Sequence, residues 1–424
     1  MGEKTFPLPK EELEKLVRRY PTPFYLYDER GIRENARALT RAFGILPGFL
    51  EYFAVKALPN PFILKILSSE GFGADCSSYA ELLLADMAGI RGERIMFSSN
   101  ETPAREYKAA RDLGAVINLD DFTHIDYLER HAGIPELISC RYNPGSAKSG
   151  NAIIGKPLEA KYGFTRDQIL RAYPLLAAKG ARRFGIHAMV ASNELFLEYH
   201  IETARMLFEL AVEIKEKTGL ALEFINLGGG VGIPYKVEDQ AIDYQELAEG
   251  IEGLYRSIIV PAGLGSLRIR IEWGRAITGP YGWLVSTAIH TKSIYREYIG
   301  LDSCMADLMR PALYSTAYHH ITVAGKETAP STETYDVVGS LCENNDKFAI
   351  QRSLPKIDPG DLVIIHDAGA HGRAMGFNYN GKLRCGELLL RSDGTIMQIR
   401  RPETVEDYFA TLDREAFKNF QENL

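Results

Sequence analysis

Hydrophobic and polar positions follow two different patterns along the chain, and the change between them divides it in two. From about residue 32 to residue 285, short apolar runs alternate with longer amphipathic stretches. The short runs predict strands over 51–55, 94–98, 115–119, 137–142, 184–190, 223–227 and 268–272. The amphipathic stretches predict helices over 78–87, 103–113 and 195–215. This alternation predicts an α/β fold with parallel strands, either doubly wound or closed as a (β/α)8 TIM-like barrel.

After about residue 286, strand-like runs follow one another without long helices between them. They predict strands over 284–293, 321–323, 335–339, 362–365, 387–390 and 395–399. Turn sequences such as Asp358-Pro359-Gly360-Asp361 separate them, which is typical of a mostly antiparallel β domain. The N-terminus predicts a helix over 8–20 and a strand over 24–27 that joins this domain. We therefore predict a barrel domain over 32–285 and a C-terminal β domain formed by 1–31 and 286–424.

Composition narrows the classes of function. A net charge of -7 and a pI near 5.8 argue against a nucleic-acid surface, which needs concentrated Lys and Arg. No apolar run approaches the roughly 18 residues of a membrane span, and the N-terminal residues lack the apolar stretch of a signal peptide. The five cysteines are scattered and form no CxxC pair. This distribution favours a reducing cytoplasm and disfavours a structural metal site.

The first candidate for chemistry is Lys56, which ends the apolar run 51–55. Burying an unpaired ammonium group in a strand core is costly, so a lysine at this place faces either solvent or a site. A lysine amine at the carboxyl end of a strand can attack a carbonyl cofactor. For any single lysine, a surface side chain remains the commoner alternative.

Two further segments follow strands of the predicted barrel. The glycine run Gly228-Gly229-Gly230 comes after the strand 223–227, where backbone N–H groups can approach a phosphate, although a plain glycine turn explains it equally well. Glu272 ends the strand 268–272 and is followed by Arg275. Its carboxylate can face a ring nitrogen and hold it protonated, or it can pair with Arg275 to close a loop.

Two segments of the predicted β domain also carry reactive or small residues. In 338–346, Cys342 lies beside Glu343 and can donate a proton, although buried and inert thiols are commoner. Small residues in 366–372, which leads to Asn378-Tyr379-Asn380-Gly381, indicate either close approach to a ligand or a tight β-turn.

Taken in order, these segments resemble the fold type III pyridoxal-phosphate decarboxylases, and most closely the diaminopimelate decarboxylases among them. The resemblance extends from Thr22 to Arg401. The motifs that carry it are YFAVKA (52–57), GAD (73–75), RYNPG (141–145), KYGF (161–164), the glycine run, EWGR (272–275), MRPALY (309–314), CE (342–343) and DAGA (367–370). Each motif alone is unspecific, whereas their ordered set is specific.

The resemblance implies a role for each candidate residue. Lys56 holds pyridoxal 5'-phosphate as a Schiff base, Glu272 keeps the pyridine nitrogen protonated, and Cys342 protonates the carbanion after CO2 leaves. The implied cofactor-binding set is Lys56, Asp75, Ser192, Gly228, Gly229, Gly230, Glu272, Gly274, Arg275, His371 and Tyr379. The implied substrate-binding set is Arg275, Arg310, Tyr314 and Glu343.

The resemblance also implies the substrate and the partner. A distal carboxylate suits bidentate arginine, whereas the distal amine of ornithine is repelled, so meso-diaminopimelate is preferred and L-lysine is the product. Carboxynorspermidine, ornithine or arginine are the alternatives, as is a homologue without catalysis. The implied assembly is a homodimer in which Cys342 reaches the partner's site.

Three positions depart from the family pattern. Met189 replaces the histidine that stacks on the cofactor, and Trp273 replaces a proline. His371 replaces the phosphate-binding tyrosine, a role that Tyr379 is the other candidate to supply.

Overall fold

The computed structural model describes residues 4–149, 153 and 155–423, which form two compact units. The first unit comprises Glu29–Tyr281 and Gly369–Ala374. The second comprises Lys4–Asp28, Gly282–Ala368 and Met375–Leu424. The chain therefore starts in the second unit, leaves it to build the first, and returns. Residues 1–3 of the predicted β domain lie outside the described residues.

The second unit begins with helix α1 (Lys10–Arg19) and strand β1 (Phe24–Asp28). The first unit then forms a closed barrel of eight parallel strands. These are β2 (Leu50–Ala54), β3 (Gly73–Cys76), β4 (Ile95–Phe97), β5 (Val116–Leu119), β6 (Leu137–Tyr142), β7 (Arg183–Ala188), β8 (Phe224–Asn226) and β9 (Arg268–Ile271). Pairing of β9 with β2 closes the barrel, with Leu50 opposite Arg270.

Helices connect the barrel strands. They are α2 (Glu29–Phe43), α3 (Pro61–Ser69), α4 (Tyr79–Met87), α5 (Ala104–Asp112), α6 (His124–Ala132), α7 (Arg166–Ala178), α8 (Leu197–Thr218), α9 (Tyr244–Leu254) and the short α10 (Arg275–Thr278). Local sequence starts several of them: Thr165 and Gln168 form a capping box for α7, and Asn60 caps α3 with Pro61 in its first turn. The helices explain how consecutive strands run parallel.

The closed barrel selects one of the two parallel architectures predicted from the hydrophobic pattern, the (β/α)8 barrel. The predicted strands agree with β2 and β4–β9 within one or two residues at most ends. The strand β3 was missed because Gly-Ala-Asp-Cys contains no β-branched or aromatic residue. Its four residues are nevertheless buried, since both faces of a barrel strand are covered.

The second unit contains the sheet that the C-terminal pattern predicts. Its later elements are β10 (Gly282–Ser293), β11 (Glu297–Leu301), α11 (Arg310–Leu313), β12 (Ile321–Val323), β13 (Glu333–Val338), β14 (Lys347–Leu354), β15 (Leu362–Ile365), β16 (Gly386–Leu390), β17 (Ile396–Arg400), α12 (Val405–Phe409) and α13 (Arg414–Glu422). Pairing is mostly antiparallel, as predicted, with parallel contacts of β1 with β16 and of β11 with β13. The N-terminal strand β1 lies between β10 and β16, so it does join this sheet.

Two of these strands, β11 and β14, were not predicted. In β11 only Ile299 and Leu301 are buried, and the middle of β14 is exposed at Ile350 and Gln351, where Gln351 adopts a positive φ of 47°. Within the described part of the chain, none of the helices combines the length and apolar character that crossing a bilayer requires.

Candidate active site

Lys56 lies at the carboxyl end of β2, in a single 3-10 turn that spans Val55–Ala57. Its Nζ is 3.5 Å from Oδ2 of Asp75, which ends the neighbouring strand β3. The Lys56 side chain is 47 % exposed, whereas that of Asp75 is almost fully buried. The lysine amine therefore lies at the barrel mouth, next to a buried carboxylate.

Glu272 follows β9 and is held by three donors that lie in β7, in β8 and just after β4. Its Oε1 accepts from Asn226 Nδ2 at 2.7 Å and from Ser98 Oγ at 3.4 Å, and its Oε2 lies 2.9 Å from His187 Nε2. Burial alone would raise the pKa of Glu272, but His187 and the charge of Lys56 hold that pKa well below its usual range. The carboxylate consequently stays ionised at neutral pH, although it is buried.

The tautomer of His187 follows from its two partners. Asn118 Nδ2 lies 3.1 Å from His187 Nδ1, so the amide N–H donates and Nδ1 accepts. Nε2 then carries the hydrogen and donates to Glu272. Burial lowers the pKa of His187, which agrees with a neutral imidazole. The ring thus fixes the orientation of Glu272.

Asp75 differs from Glu272 because its pKa is raised and not lowered. Its Oδ1 is buried and accepts no hydrogen bond from any described residue. Burial first, and then the negative charge of Glu272, raise the pKa of Asp75 to about 8 against the opposing effect of Lys56. Burial also lowers the pKa of Lys56, but the charges of Asp75 and Glu272 outweigh it and raise that pKa overall. The two carboxylates thus differ in their readiness to take a proton.

The glycine run lies against two neighbouring backbone segments. An added Cβ at Gly228 would lie 2.0 Å from the carbonyl oxygen of Ala188, and one at Gly229 would lie 2.4 Å from that of Glu272. Gly230 has a φ of 108° and would meet Ala191 at 2.6 Å. Only glycine therefore fits, and the loop can bring its backbone N–H groups close to an anion.

The remaining predicted residues of the first unit lie at the start of α10 and in two loops. Gly274 begins α10, and a Cβ there would lie 2.6 Å from the Cβ of Ala57. Arg275 is buried and donates to the hydroxyl of Tyr235 at 2.5 Å. His371 has a φ of 54° and its backbone N–H donates to the carbonyl of Ala57 at 2.8 Å. Ser192 lies in the loop between β7 and α8.

The other predicted residues belong to the second unit. Arg310 starts α11, is buried, and donates from Nη1 to His319 Nε2 at 3.2 Å. Tyr314 caps the end of α11 and is half-buried. Cys342 and Glu343 are exposed in the loop between β13 and β14, and Tyr379 is exposed in a short turn before β16.

The departures from the family pattern have visible local consequences. Met189 Sδ lies 3.4 Å from the N–H of Gly229, so the thioether packs against the glycine run. Trp273 donates its backbone N–H to Oε1 of the buried Glu51 at 2.7 Å, a contact that proline cannot make. Its indole packs edge-on against Phe43 and tilted against Tyr244.

Sequence reasoning missed the polar residues that organise Glu272. His187, Asn118 and Asn226 all lie near the carboxyl ends of apolar barrel strands, in β7, β5 and β8. A polar side chain inside a short buried strand was the available signal. Arg141 at the end of β6 was also missed as a site residue. Its guanidinium donates to Asp120 at 3.3 Å and lies 4.3 Å from the ring centre of Tyr162.

A parallel barrel that carries a lysine after β2, an ionised glutamate after β9 and a glycine cradle after β8 defines the class of fold type III pyridoxal-phosphate enzymes. Residues 29–279 match the family model of the pyridoxal-dependent decarboxylases, over their pyridoxal-binding domain. The chain belongs to this family. It is an amino-acid carboxy-lyase, and pyridoxal 5'-phosphate is its cofactor.

Individual relatives match over nearly the whole chain. Protein TabA of Pseudomonas amygdali pv. tabaci is 43 % identical over 96 % of this chain and 94 % of its own. The diaminopimelate decarboxylase of Methanothermobacter thermautotrophicus is 36 % identical over 93 % of this chain and 92 % of its own. The crystal structure of diaminopimelate decarboxylase from Helicobacter pylori complexed with L-lysine superposes with a TM-score of 0.83 at 31 % identity, covering 95 % of this chain and all of the other.

The residues of the first unit fit the cofactor. The glycine run offers a cradle that any Cβ would fill, and Asp75 keeps a buried carboxylate oxygen without a partner among the described residues. Lys56 supplies an amine at the barrel mouth and Glu272 an ionised acceptor. When bound, the cofactor supplies a ring that accepts the electrons released with CO2.

Proposed function

We propose that the protein decarboxylates meso-diaminopimelate to L-lysine and CO2. The observation that carries the proposal is the pair of carboxylates around Lys56, one kept ionised and one ready to take a proton. The relatives support this substrate, since several are diaminopimelate decarboxylases and two of these were crystallised with L-lysine.

In this proposal the barrel residues bind the cofactor and determine the protonation of its ring nitrogen. Lys56 would hold the cofactor through its side-chain amine. Asp75 Oδ2, 3.5 Å from Lys56 Nζ, positions the amine at the barrel mouth. Glu272 keeps a proton on the ring nitrogen, because a carboxylate held by three donors remains charged. Gly228–Gly230, Ser192, Gly274, Arg275 and either His371 or Tyr379 bind the phosphate.

The distal end of the substrate carries a carboxylate and an amine. The family resemblance assigns Arg275 and Arg310 to the carboxylate, and Glu343 and Tyr314 to the remaining polar groups. Both arginines are buried, which strengthens their attraction for an anion and penalises a cation. Ornithine ends in an amine alone, so the same pair of guanidinium groups would repel it.

Cys342 gives a proton to the substrate carbon that has lost CO2. Its thiol is exposed on the loop between β13 and β14, where it is accessible to a second molecule of the protein. We propose a homodimer in which Cys342 completes the partner's site. Mixing inactive Lys56→Ala with slowed Cys342→Ala tests this: activity well above that of Cys342→Ala alone supports shared sites, whereas a mixture with no gain in activity contradicts them.

A second candidate is decarboxylation of a related amino acid. The observation that favours it is the 43 % identity to TabA, which exceeds that to the diaminopimelate decarboxylases named above. Met189 also packs against the glycine run, and Trp273 binds Glu51 through its backbone N–H. Carboxynorspermidine, ornithine and arginine are the substrates to compare.

The deciding experiment measures CO2 and L-lysine release from meso-diaminopimelate by purified, cofactor-loaded protein. Rapid and equimolar release establishes substrate and reaction together. Release from ornithine or arginine instead would move the assignment to that substrate while keeping the reaction. A cofactor-loaded protein that decarboxylates none of them would contradict the proposed activity, with Lys56→Ala as the background control.

A further inference from the structure

The loop between β13 and β14 is held by two side chains that accept consecutive backbone N–H groups. Leu341 donates its N–H to Oδ2 of Asp346 at 2.8 Å, and Cys342 donates its N–H to Oδ1 of Asn380 at 2.8 Å. Asp346 ends the same loop, whereas Asn380 comes from a turn 38 residues further along the chain. Cys342 is thus fixed through its backbone, although its thiol is exposed.

Asp346 is the buried anchor of this arrangement. Its Oδ1 also accepts the N–H of Met305 at 2.6 Å, and its carbonyl accepts the N–H of Gly339 at 3.0 Å. A Cβ at Gly339 would lie 2.4 Å from Oδ2 of Asp346, so only glycine fits beside the carboxylate. The carbonyl of Asp346 therefore joins the two ends of the loop, and its carboxylate ties the loop to the segment that carries Met305.

Asn380 approaches Cys342 from outside the loop. Its φ of 56° is a left-handed conformation that asparagine tolerates better than most residues. The turn around it is closed by the N–H of Gly381, which donates to Asn378 at 3.0 Å. Asn378 in turn donates from Nδ2 to Glu403 at 2.7 Å. The acceptor that meets Cys342 is consequently presented by an anchored turn.

We propose that Asn380 is a positioning residue for Cys342, with Asp346 as its support. The proposal rests on the proposed role of Cys342 as proton donor to the substrate carbon. If the exposed loop had only its own contacts, the thiol would occupy many positions. A poorly oriented donor strongly lowers the rate of proton transfer. Asn380 restricts the loop at the residue that carries the thiol, so the proton reaches one face of the carbon.

The test compares Asn380→Gly with Asn380→Asp. Glycine keeps the left-handed backbone but removes the acceptor, whereas aspartate keeps an acceptor oxygen and tolerates the same φ. We expect Asn380→Gly to lower kcat by about tenfold or more at an unchanged cofactor affinity, and Asn380→Asp to restore most of it. In D2O, the product of Asn380→Gly should carry deuterium in mixed configuration at the protonated carbon. Wild-type kcat with a single configuration in Asn380→Gly would overturn the proposal.

A second readout does not depend on catalysis. Cys342 is the exposed thiol, whereas Cys76, Cys140, Cys304 and Cys385 are buried, so iodoacetamide reports on Cys342 with Cys342→Ala as background. We expect the alkylation rate to change severalfold in Asn380→Gly and little in Asn380→Asp. Unchanged kcat in Cys342→Ala would remove the proton-donor role alone. An unchanged alkylation rate in Asn380→Gly would remove the positioning role of Asn380.

Discussion

The barrel mouth and the loop that carries Cys342 are organised by different kinds of hydrogen bond. At the barrel mouth, buried side chains bond to side chains, and these partners determine which of two buried carboxylates is charged. In the Cys342 loop, side chains bond to backbone N–H groups while the reactive atom stays exposed. The first arrangement sets the charge of the carboxylates, and the second sets the position of the Cys342 thiol. Substitutions in the two regions should therefore impair the enzyme in different ways.

The largest effect should follow from Lys56→Ala. It removes the only covalent anchor in the proposed mechanism, so we expect loss of the visible absorbance band of bound cofactor and a fall in kcat of about 10³-fold or more. Absorbance and CO2 release measure the two. Lys65→Ala is the matched control, since Lys65 only donates to the carbonyl of Ala88 on the outer helices. A retained absorbance band in Lys56→Ala would show that another residue carries the cofactor.

Glu272→Gln should have the second-largest effect on kcat. The amide keeps the size of the side chain but cannot hold a charge, so we expect kcat to fall by about 10³-fold while the cofactor stays bound. His187→Gln is the companion variant, because it removes the ring that orients Glu272 without touching the charge. A change in cofactor affinity without a change in kcat would assign Glu272 to binding instead.

Cys342→Ala should have a smaller effect of a different kind. Loss of a general acid lowers kcat by about 10²-fold, with the cofactor spectrum unchanged because the barrel mouth is intact. Spectrum and kcat measured on the same sample separate this outcome from that of Lys56→Ala. If the spectrum of the cofactor also changed, the contrast between the two regions would be wrong.

The smallest effect concerns the pH dependence of stability in the cofactor-free protein. Folding raises the pKa of Asp75 from 3.8 to about 8, so its favourable contribution is present at acid pH and is lost as the pH rises through about 8. Asp75→Asn removes this dependence. We expect the difference in Tm, variant minus wild type, to increase by about a few degrees between pH 5 and pH 8. A difference in Tm that is constant with pH would show that Asp75 keeps an ordinary pKa.

The sequence predicted the elements that repeat a strong pattern and missed those that depend on context. Apolar runs such as Leu137–Tyr142 and Leu362–Ile365 were predicted with their observed bounds. The strand Gly73–Cys76 has no intrinsic preference for extended structure and forms because its neighbours pair with it.

The same distinction applies to the site. Lys56 and Glu272 end apolar strands and could be found one at a time. The bond from His187 to Glu272 joins residues 85 positions apart, and the bond from Cys342 to Asn380 needs a particular turn geometry. Neither pairing has a signal in a single sequence, because each depends on which strands and turns become neighbours in the fold.

The pairing of β1 with β16 has a consequence for the order of folding during synthesis. Phe24 pairs with Gly386, so the sheet of the second unit needs residues from both ends of the chain. All eight barrel strands, by contrast, have been synthesised once residue 271 is made. One edge of β1 can pair with β10 soon afterwards, but its other edge, which pairs with β16, stays open until residue 386 is made. Chaperone binding and aggregation during expression should therefore concentrate on Phe24–Tyr27.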